Sequence, residues 1–285
     1  MKDSTMKTVI TKHSMSDGKP LFVKIWGEPA DCKACILLVH GLGEHIERYE
    51  HVASMALARG FCMIGFDQRG HGQTEGKRGV IGKPTQLMDD LHDMLGYAQS
   101  LCGDKPIFLY GHSLGALEVL YFGLTAKPNI AGVIATSPPL DTNTTSKAQK
   151  VLVGILKRIL PNLTVPNALN TTQLSRDEQI VKAYEKDPLV HDQASVALGA
   201  FLIDGAEYVL AHAGEWQLPL FWAHGSADGI CPIAGSKSFM KATKPGAPIS
   251  FKIWDGAYHE THNEPEKDIA ITAFLDWMDK QRNQQ

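Results

Sequence analysis

The chain has 285 residues, which suits one large domain or one domain that carries an insertion. A net charge of −3 gives no basic surface for nucleic acid, and five cysteines, an odd number, fit a reducing compartment better than a disulfide framework. The polar amino terminus holds no signal-peptide core, and no apolar run reaches the roughly 18 residues of a membrane span. We therefore expect a globular protein of the cytoplasm.

Short apolar runs alternate with amphipathic patterns along most of the chain. Continuous apolar runs predict strands buried on both faces, and a 3.6-residue apolar period predicts helices. In chain order the patterns predict a strand at 21–27 on an antiparallel edge, a strand at 34–41, a helix at 46–60, a strand at 61–67, a helix at 85–101, a strand at 106–111, a helix at 114–126, strands at 131–137, 218–225 and 249–256 with a helix between the last two, and a final helix from about Pro265.

This alternation predicts an α/β fold with a mainly parallel sheet and helices on both of its faces. The pattern breaks once, between approximately residues 140 and 215, where the sequence is mostly helical. We interpret residues 1–285 as a single domain and the 140–215 stretch as a helical cap inserted between two strands. Such a cap would lie over one end of the sheet.

The run Gly111-His112-Ser113-Leu114-Gly115 follows a predicted buried strand and opens a predicted helix. Glycines two residues before and after a serine allow a turn so tight that no side chain fits at either position. In a strand-turn-helix setting this is the pattern of a nucleophile elbow, which lifts the serine clear of the sheet. The plainer interpretation is a serine that caps a helix.

A serine hydroxyl needs a base, and the base needs a carboxylate that orients it. In this architecture the chain order is serine, acid, histidine. Asp228 follows the strand at 218–225 and His259 follows the strand at 249–256, so both would emerge at the same sheet edge as Ser113. We choose Asp228 and His259. The competitors are Asp204 and Asp255 for the acid and His262 for the base.

Ester chemistry also needs two donors for the developing oxyanion. The backbone N–H of Leu114, directly after the serine, would be one, and that of Leu42, in the loop after the 34–41 strand, the other. His40 would hold that loop. Cys32 and Cys35 form a C-x-x-C sequence without a second pair nearby in the chain, and we interpret them as ordinary thiols. We expect no metal and no cofactor.

The predicted cap contains a helix with an apolar stripe. The stripe consists of Leu152, Ile155, Leu156 and Ile159. It would either pack on the body of the protein or form an exposed rim that meets a membrane or lipid aggregate, as a peripheral contact. The sequence leaves both interpretations open.

Taken together, these motifs resemble the monoacylglycerol lipases of the α/β-hydrolase superfamily, in a branch that includes lysophospholipases. The resemblance covers roughly residues 20–280 and rests on HGLGEHIERYE, GHGQTEG, GHSLGA, ILPNL, LSRDEQIVKAYEKDPLV, HGSADGICP and GAYHETHNE. It implies an α/β-hydrolase fold with a helical cap. It also implies the triad Ser113, Asp228 and His259 and the oxyanion donors Leu42 and Leu114.

The resemblance further implies a polar pocket for a glycerol head group. The matching positions are Glu44, Arg48, His112, Tyr184 and His262, and Cys231 matches a cysteine near the family's site. We expect cleavage of the carboxylic ester of monoacylglycerols through an acyl-enzyme. The alternatives are a lysophospholipase or broad carboxylesterase with the same machinery, and a non-catalytic lipid carrier on the same fold. Chain-length preference and oligomeric state do not follow from the sequence.

Overall fold

The computed structural model describes residues 7–283, and its centre is an eight-stranded sheet with helices on both faces. In chain order the elements are β1 Thr8–Ser14, β2 Pro20–Trp26, β3 Cys35–Val39, α1 Glu50–Ala58, β4 Cys62–Phe66, α2 Gln86–Cys102, β5 Ile107–His112, α3 Leu114–Thr125, β6 Gly132–Thr136, α4 Lys147–Ile159, β7 Thr164–Pro166, α5 Glu178–Lys186, β8 Gln193–Ser195, α6 Val196–Ala211, β9 Leu220–Gly225, α7 Ala234–Ala242, β10 Ile249–Trp254 and α8 Lys267–Arg282.

The strand order is β1-β2-β4-β3-β5-β6-β9-β10. The six strands from β4 to β10 are parallel, whereas β2 pairs antiparallel with both β1 and β4. β3, β4, β5 and β6 are buried along their whole length, as expected for strands covered by helices on both faces. The predicted α/β-hydrolase fold class is therefore confirmed.

One prediction about the sheet is wrong. The strand predicted at 21–27 was expected at an edge, but β1 lies outside it and forms the edge. The residues of β1 are mostly exposed and mix polar with apolar side chains, so they lack the clear alternation that marks a half-buried strand.

The two faces of the sheet carry separate apolar cores. One core joins the sheet to α2, α3, α6 and α7, and the other joins it to α1 and α8. In the last helix, the apolar stripe of Ile271, Phe274, Leu275 and Met278 is buried in the second core. None of the helices within residues 7–283 combines the length and the apolar character needed to cross a membrane.

The chain between β6 and β9 is the connecting segment, residues 137–219. It contains α4, α5 and α6 together with a short antiparallel pair formed by β7 and β8. Two glycines of the body allow this segment to pack closely. A Cβ on Gly43 would lie 2.3 Å from the carbonyl oxygen of His191, and a Cβ on Gly79 would lie 2.3 Å from that of Gln193.

Candidate active site

Ser113 lies at the sharp turn between β5 and α3, in a backbone conformation with φ of 52° and ψ of −118°. A non-glycine residue with positive φ is strained and persists where its surroundings fix it. Here the amide of Ser113 donates to the carbonyl oxygen of Thr136 on the neighbouring strand at 2.9 Å. The elbow geometry predicted from the sequence is thus present around Ser113.

Steric contacts explain why the positions two residues before and two residues after Ser113 are both glycine. A Cβ on Gly111 would lie 2.2 Å from the carbonyl oxygen of Gly115, so the turn closes only without that side chain. A Cβ on Gly115 would lie 2.1 Å from the carbonyl oxygen of Val39. The start of α3 therefore packs against the end of β3, which places the loop after β3 beside the serine.

The loop after β3 is held by His40. The amide of Gln68 donates to His40 Nε2 at 3.0 Å, so the proton of the neutral ring is on Nδ1, which donates to the carbonyl oxygen of Gly41 at 2.7 Å. Burial lowers the pKa of His40 to about 3, which keeps the ring neutral. His40 has the loop-holding contacts that the sequence interpretation expected.

Leu42 and Leu114 both line the cavity that contains Ser113. Within the described residues, 7–283, neither backbone N–H donates a hydrogen bond to a protein acceptor. A Cβ on Gly41, directly before Leu42, would lie 3.2 Å from the Cβ of Ser113, so the two loops are in contact. Two unengaged donors next to a serine can stabilise negative charge that develops on a nearby oxygen.

Asp228 and His259 form a buried pair at the same sheet edge. His259 Nδ1 lies 2.8 Å from Asp228 Oδ2, and both side chains are almost fully buried. Asp228 Oδ1 accepts from the amides of Ile230 at 2.9 Å and Cys231 at 2.8 Å. His224, which the sequence reasoning missed, places Nε2 3.1 Å from Asp228 Oδ2.

The contacts of Asp228 and His259 shift the pKa values of both side chains. Burial alone would raise the pKa of Asp228, but His259 and His224 outweigh it and the pKa lies well below its usual range. Burial alone would lower the pKa of His259, but the charge and hydrogen bond of Asp228 raise it above the usual value. An ionised carboxylate that orients a basic imidazole can support proton transfer from a hydroxyl.

The competing residues have other surroundings. Asp204 pairs with Lys157 on the surface at 2.6 Å, and Asp255 accepts from the hydroxyl of Ser226 at 3.0 Å in an exposed turn. His262 is buried, its ring stacks on Tyr49 with centroids 4.8 Å apart, and neither ring nitrogen has a hydrogen-bond partner within residues 7–283. Neither Asp204 nor Asp255 is hydrogen-bonded to a histidine in these contacts.

A buried charged network borders the cavity. Arg48 donates from Nη1 to Glu44 Oε2 and Glu260 Oε1 and from Nη2 to Glu260 Oε2, each at 2.6 Å. Glu44 Oε1 accepts from the amide of Gly41 at 2.7 Å and from the hydroxyl of Tyr49 at 2.8 Å. Burial alone would raise the pKa of Glu260, but Arg48 lowers it to about 2.

The structure places the expected pocket residues in two layers. Glu44, His112, Tyr184 and Cys231 line a cavity of about 110 Å³ together with Ser113 and His259. Arg48 and His262 are not among the lining residues and lie behind this wall. Arg48 stacks on the ring of Tyr184, 4.7 Å from its centroid, and the ring of His262 lies 4.7 Å from that of His112.

Glu260 lines the cavity but was not predicted as a site residue. Its position next to His259 was the only signal in the sequence. Its partner Arg48 is 212 positions away, so the bidentate pair becomes visible only in the fold. Ser137 was missed as well, although its hydroxyl donates to the carbonyl oxygen of His259 at 2.7 Å and holds the histidine loop.

A second cavity of about 340 Å³ adjoins the first and is lined largely by residues of the connecting segment. The two cavities share Pro139, Leu202, Ile230 and Cys231 in their walls. The second cavity extends to Lys150 on α4 and Ala206 on α6. The cavity that contains the serine thus adjoins a larger, partly apolar cavity lined by the connecting segment.

Comparison with known proteins agrees with this geometry. A family model described as serine aminopeptidase, S33, matches residues 30–266. Human monoglyceride lipase is 32% identical over 271 residues, which cover 94% of this chain and 89% of the human protein. The crystal structure of the monoacylglycerol lipase of Paleococcus ferrophilus has a TM-score of 0.83 and 33% identity, with 92% of this chain and 99% of that chain covered.

An uncharacterized abhydrolase domain-containing protein of Dictyostelium discoideum is 32% identical over 276 residues. That match covers 96% of this chain but 29% of the Dictyostelium protein, which is therefore much longer. The family model covers most of this chain, including the serine, aspartate and histidine described above. The chain belongs to the serine aminopeptidase S33 family of α/β-hydrolases and, within it, to the monoacylglycerol lipase family, and it is a serine ester hydrolase.

Proposed function

We propose that the protein hydrolyses monoacylglycerols to glycerol and a free fatty acid through an acyl-enzyme on Ser113. The observation that carries this proposal is the Asp228–His259 pair at 2.8 Å, whose histidine lines the same cavity as the strained serine. Membership of the monoacylglycerol lipase family supports the substrate class. The charged network beside the serine supports the choice of an uncharged, hydroxyl-rich head group.

In the proposed reaction, Ser113 Oγ forms a bond to the ester carbonyl carbon as His259 accepts the hydroxyl proton. The Leu42 and Leu114 amides donate to the carbonyl oxygen as it becomes negative. The bond from the carbonyl carbon to the glycerol oxygen then breaks, and the proton passes from His259 to glycerol. Water repeats these steps on the acyl-serine and releases the fatty acid.

The head group would lie against Glu44, Tyr184 and Glu260. Two carboxylates in the wall favour the hydroxyl groups of glycerol, which donate hydrogen bonds. A phosphate group would be repelled by the same carboxylates, and Arg48 lies behind them, bound to Glu44 and Glu260 and away from the cavity lining. The network therefore favours monoacylglycerol over lysophospholipid as the substrate.

The connecting segment would act as a cap over the acyl chain. Val151, Leu152, Ile155 and Ile159 of α4 are all more than half exposed, and α4 has no buried residue. The second cavity reaches α4 at Lys150. A lipid substrate resides in membranes, so we infer that this apolar face lies on the lipid surface while the cavity receives one molecule.

The test is glycerol release from a long-chain monoacylglycerol, measured beside lysophosphatidylcholine of the same chain length. The proposal predicts a strong preference for the monoacylglycerol and no activity above background in Ser113→Ala. Equal or faster cleavage of lysophosphatidylcholine would contradict the head-group assignment. Activity retained by Ser113→Ala would contradict the mechanism.

A further inference from the structure

Four of the five cysteines converge at one point, at the edge of the sheet opposite Ser113. Cys35 and Cys62 are the first residues of β3 and β4 and are paired in register, so their side chains lie on the same face of the sheet. Cys102 is the last residue of α2, which covers that face. Cys32 lies in the turn before β3.

Three of the sulfur atoms are close enough to one another to bind a single metal ion. Those of Cys35, Cys62 and Cys102 all lie within 4.8 Å of one another. Cys32 Sγ lies outside this mutually close set but only 3.0 Å from Cys62 Sγ. Sulfurs bound tetrahedrally to one ion at about 2.3 Å are separated by about 3.8 Å. Cys35, Cys62 and Cys102 are near that spacing, and Cys32 would complete the set by turning its side chain toward them.

From these distances we propose that Cys32, Cys35, Cys62 and Cys102 form a binding site for a soft, thiophilic metal ion such as Zn²⁺ or Cu⁺. Zn²⁺ in structural sites takes four thiolates or imidazoles, and thiolates also select Cu⁺ over harder cations. The C-x-x-C sequence is interpreted above as ordinary thiols because no second pair lies nearby in the chain. In the fold, Cys62 of β4 and Cys102 of α2 form that second pair. The site would be structural and separate from ester hydrolysis.

The site has a path to solvent. Cys32 lines a surface cavity of about 490 Å³ whose wall also contains Glu28 and Asp31. Glu28 forms an ion pair with Lys7, and the carboxylate of Asp31 is exposed at the same mouth. The other three sulfurs are buried behind Cys32, so an ion would enter through the Cys32 side and become enclosed. Closed, protein-only coordination is typical of structural sites.

Binding would replace thiol protons by the metal. Cys32 Sγ lies 3.2 Å from the carbonyl oxygen of Pro29, and Cys35 Sγ lies 3.6 Å from that of Ile36. These contacts direct thiol protons to the backbone in the metal-free protein. Thiolates are the form that binds metal, so loading releases these protons. The ion would then join the β3 turn, β4 and α2 at one point and raise the stability of the folded state.

The experiment uses the full chain, purified with reductant and without oxygen, and loaded separately with Zn²⁺ and with Cu⁺. The metal content of the washed protein and competition with a chromophoric chelator give the stoichiometry and affinity. We expect one ion per chain and a higher melting temperature. Loss of a second-shell group weakens metal sites about 10- to 100-fold, so Cys35→Ser and Cys62→Ser, which each remove a ligand, should weaken binding by more than about 100-fold.

The fifth cysteine provides the matched control, since Cys231→Ser should bind metal as the wild type does. Substitution by Co²⁺ gives a readout on the wild-type chain that does not depend on variant folding. Thiolate-to-cobalt charge-transfer bands would support the site. Three results would overturn it: no retained Zn²⁺ or Cu⁺ in the wild type, binding unchanged in both ligand variants, or a mass lower by two hydrogens with Cys32 and Cys62 joined as a disulfide.

Discussion

Charged side chains are buried at the carboxyl edge of the sheet, which is formed by the C-terminal ends of its parallel strands. They are at least partly exposed on the α4 region of the connecting segment. At the carboxyl edge, Asp228, Glu44 and Glu260 are nearly inaccessible, and each accepts several hydrogen bonds. On the connecting segment, Lys150 and Lys157 pair with acidic residues of α6 that are about half exposed. Buried charges depend strongly on their partners, whereas exposed pairs contribute little to stability.

The two regions should therefore differ in what they contribute. Substitutions at the carboxyl edge should affect catalysis or folding strongly, because each leaves a charge or a reacting group without its partner. Substitutions on α4 should leave folding intact and change only how the protein meets a lipid surface. Four variants test this separation, from the largest expected effect to the smallest.

The largest effect is expected for Ser113→Ala. Removal of the nucleophile from a serine triad has cost on the order of 10⁶-fold in kcat. We expect turnover of a soluble short-chain ester to fall to background, measured by steady-state kinetics. Ser100→Ala, which changes an exposed serine on α2, is the control and should retain full activity. Substantial turnover by Ser113→Ala would mean that another group is the nucleophile.

Asp228→Asn should lower kcat by about 10³- to 10⁴-fold, because the imidazole loses its orienting carboxylate. The pH profile adds a second readout. A general base acts in its neutral form, so kcat/KM rises as pH increases through the pKa of His259, which Asp228 raises. In the variant this acidic limb should move to lower pH.

Asp255→Asn, in the exposed turn after β10, is the control for the aspartate. It should change neither kcat nor the position of the acidic limb. An acidic limb at the same pH in Asp228→Asn and wild type would contradict the assigned pair.

Arg48→Met should destabilise the fold by about 3–5 kcal/mol, because two buried carboxylates lose their shared cation. Denaturant unfolding measures this. Arg59 provides a matched control, since it pairs with Asp276 and Asp279 on the surface. Arg59→Met should cost about 1 kcal/mol or less. Equal losses of unfolding free energy in the two variants would contradict the expectation that the buried network depends more strongly on its arginine than the surface pairs do.

The smallest effect on stability is expected for Leu152→Asp combined with Ile159→Asp. Both side chains are exposed, at 55% and 67%, so unfolding should change by about 0.5 kcal/mol or less per site. Sedimentation with liposomes should nevertheless show weaker binding. Ile269→Asp, which changes a similarly exposed residue on α8, should bind as the wild type does. Unchanged sedimentation of the double variant would contradict the membrane face.

The sequence predicted the fold class and nearly all strands of the sheet, because the central strands are continuous apolar runs. It also predicted the pairing of Asp228 with His259, since residues after parallel strands meet at one edge. It missed β1, whose residues are mostly exposed. That strand is specified by pairing with β2 and not by its own apolar pattern.

Contacts between distant segments could not be predicted. Glu260 pairs with Arg48, which lies near the other end of the chain. His224 contacts Asp228 from β9, whose sequence predicts only a buried strand. The convergence of Cys62 and Cys102 on the C-x-x-C sequence likewise depends on strand order and on where α2 ends. Local patterns carry no information on such contacts because they arise only from tertiary packing.

The central claim is that Ser113 is the nucleophile activated at the carboxyl edge. Reaction of the folded protein with a fluorophosphonate, followed by proteolysis and mass spectrometry of the peptides, tests it most directly. We predict one adduct per chain, on Ser113, with no labelling of Ser113→Ala and slower labelling of Asp228→Asn. Absence of an adduct from the wild type, or an adduct on a different residue, would contradict the account.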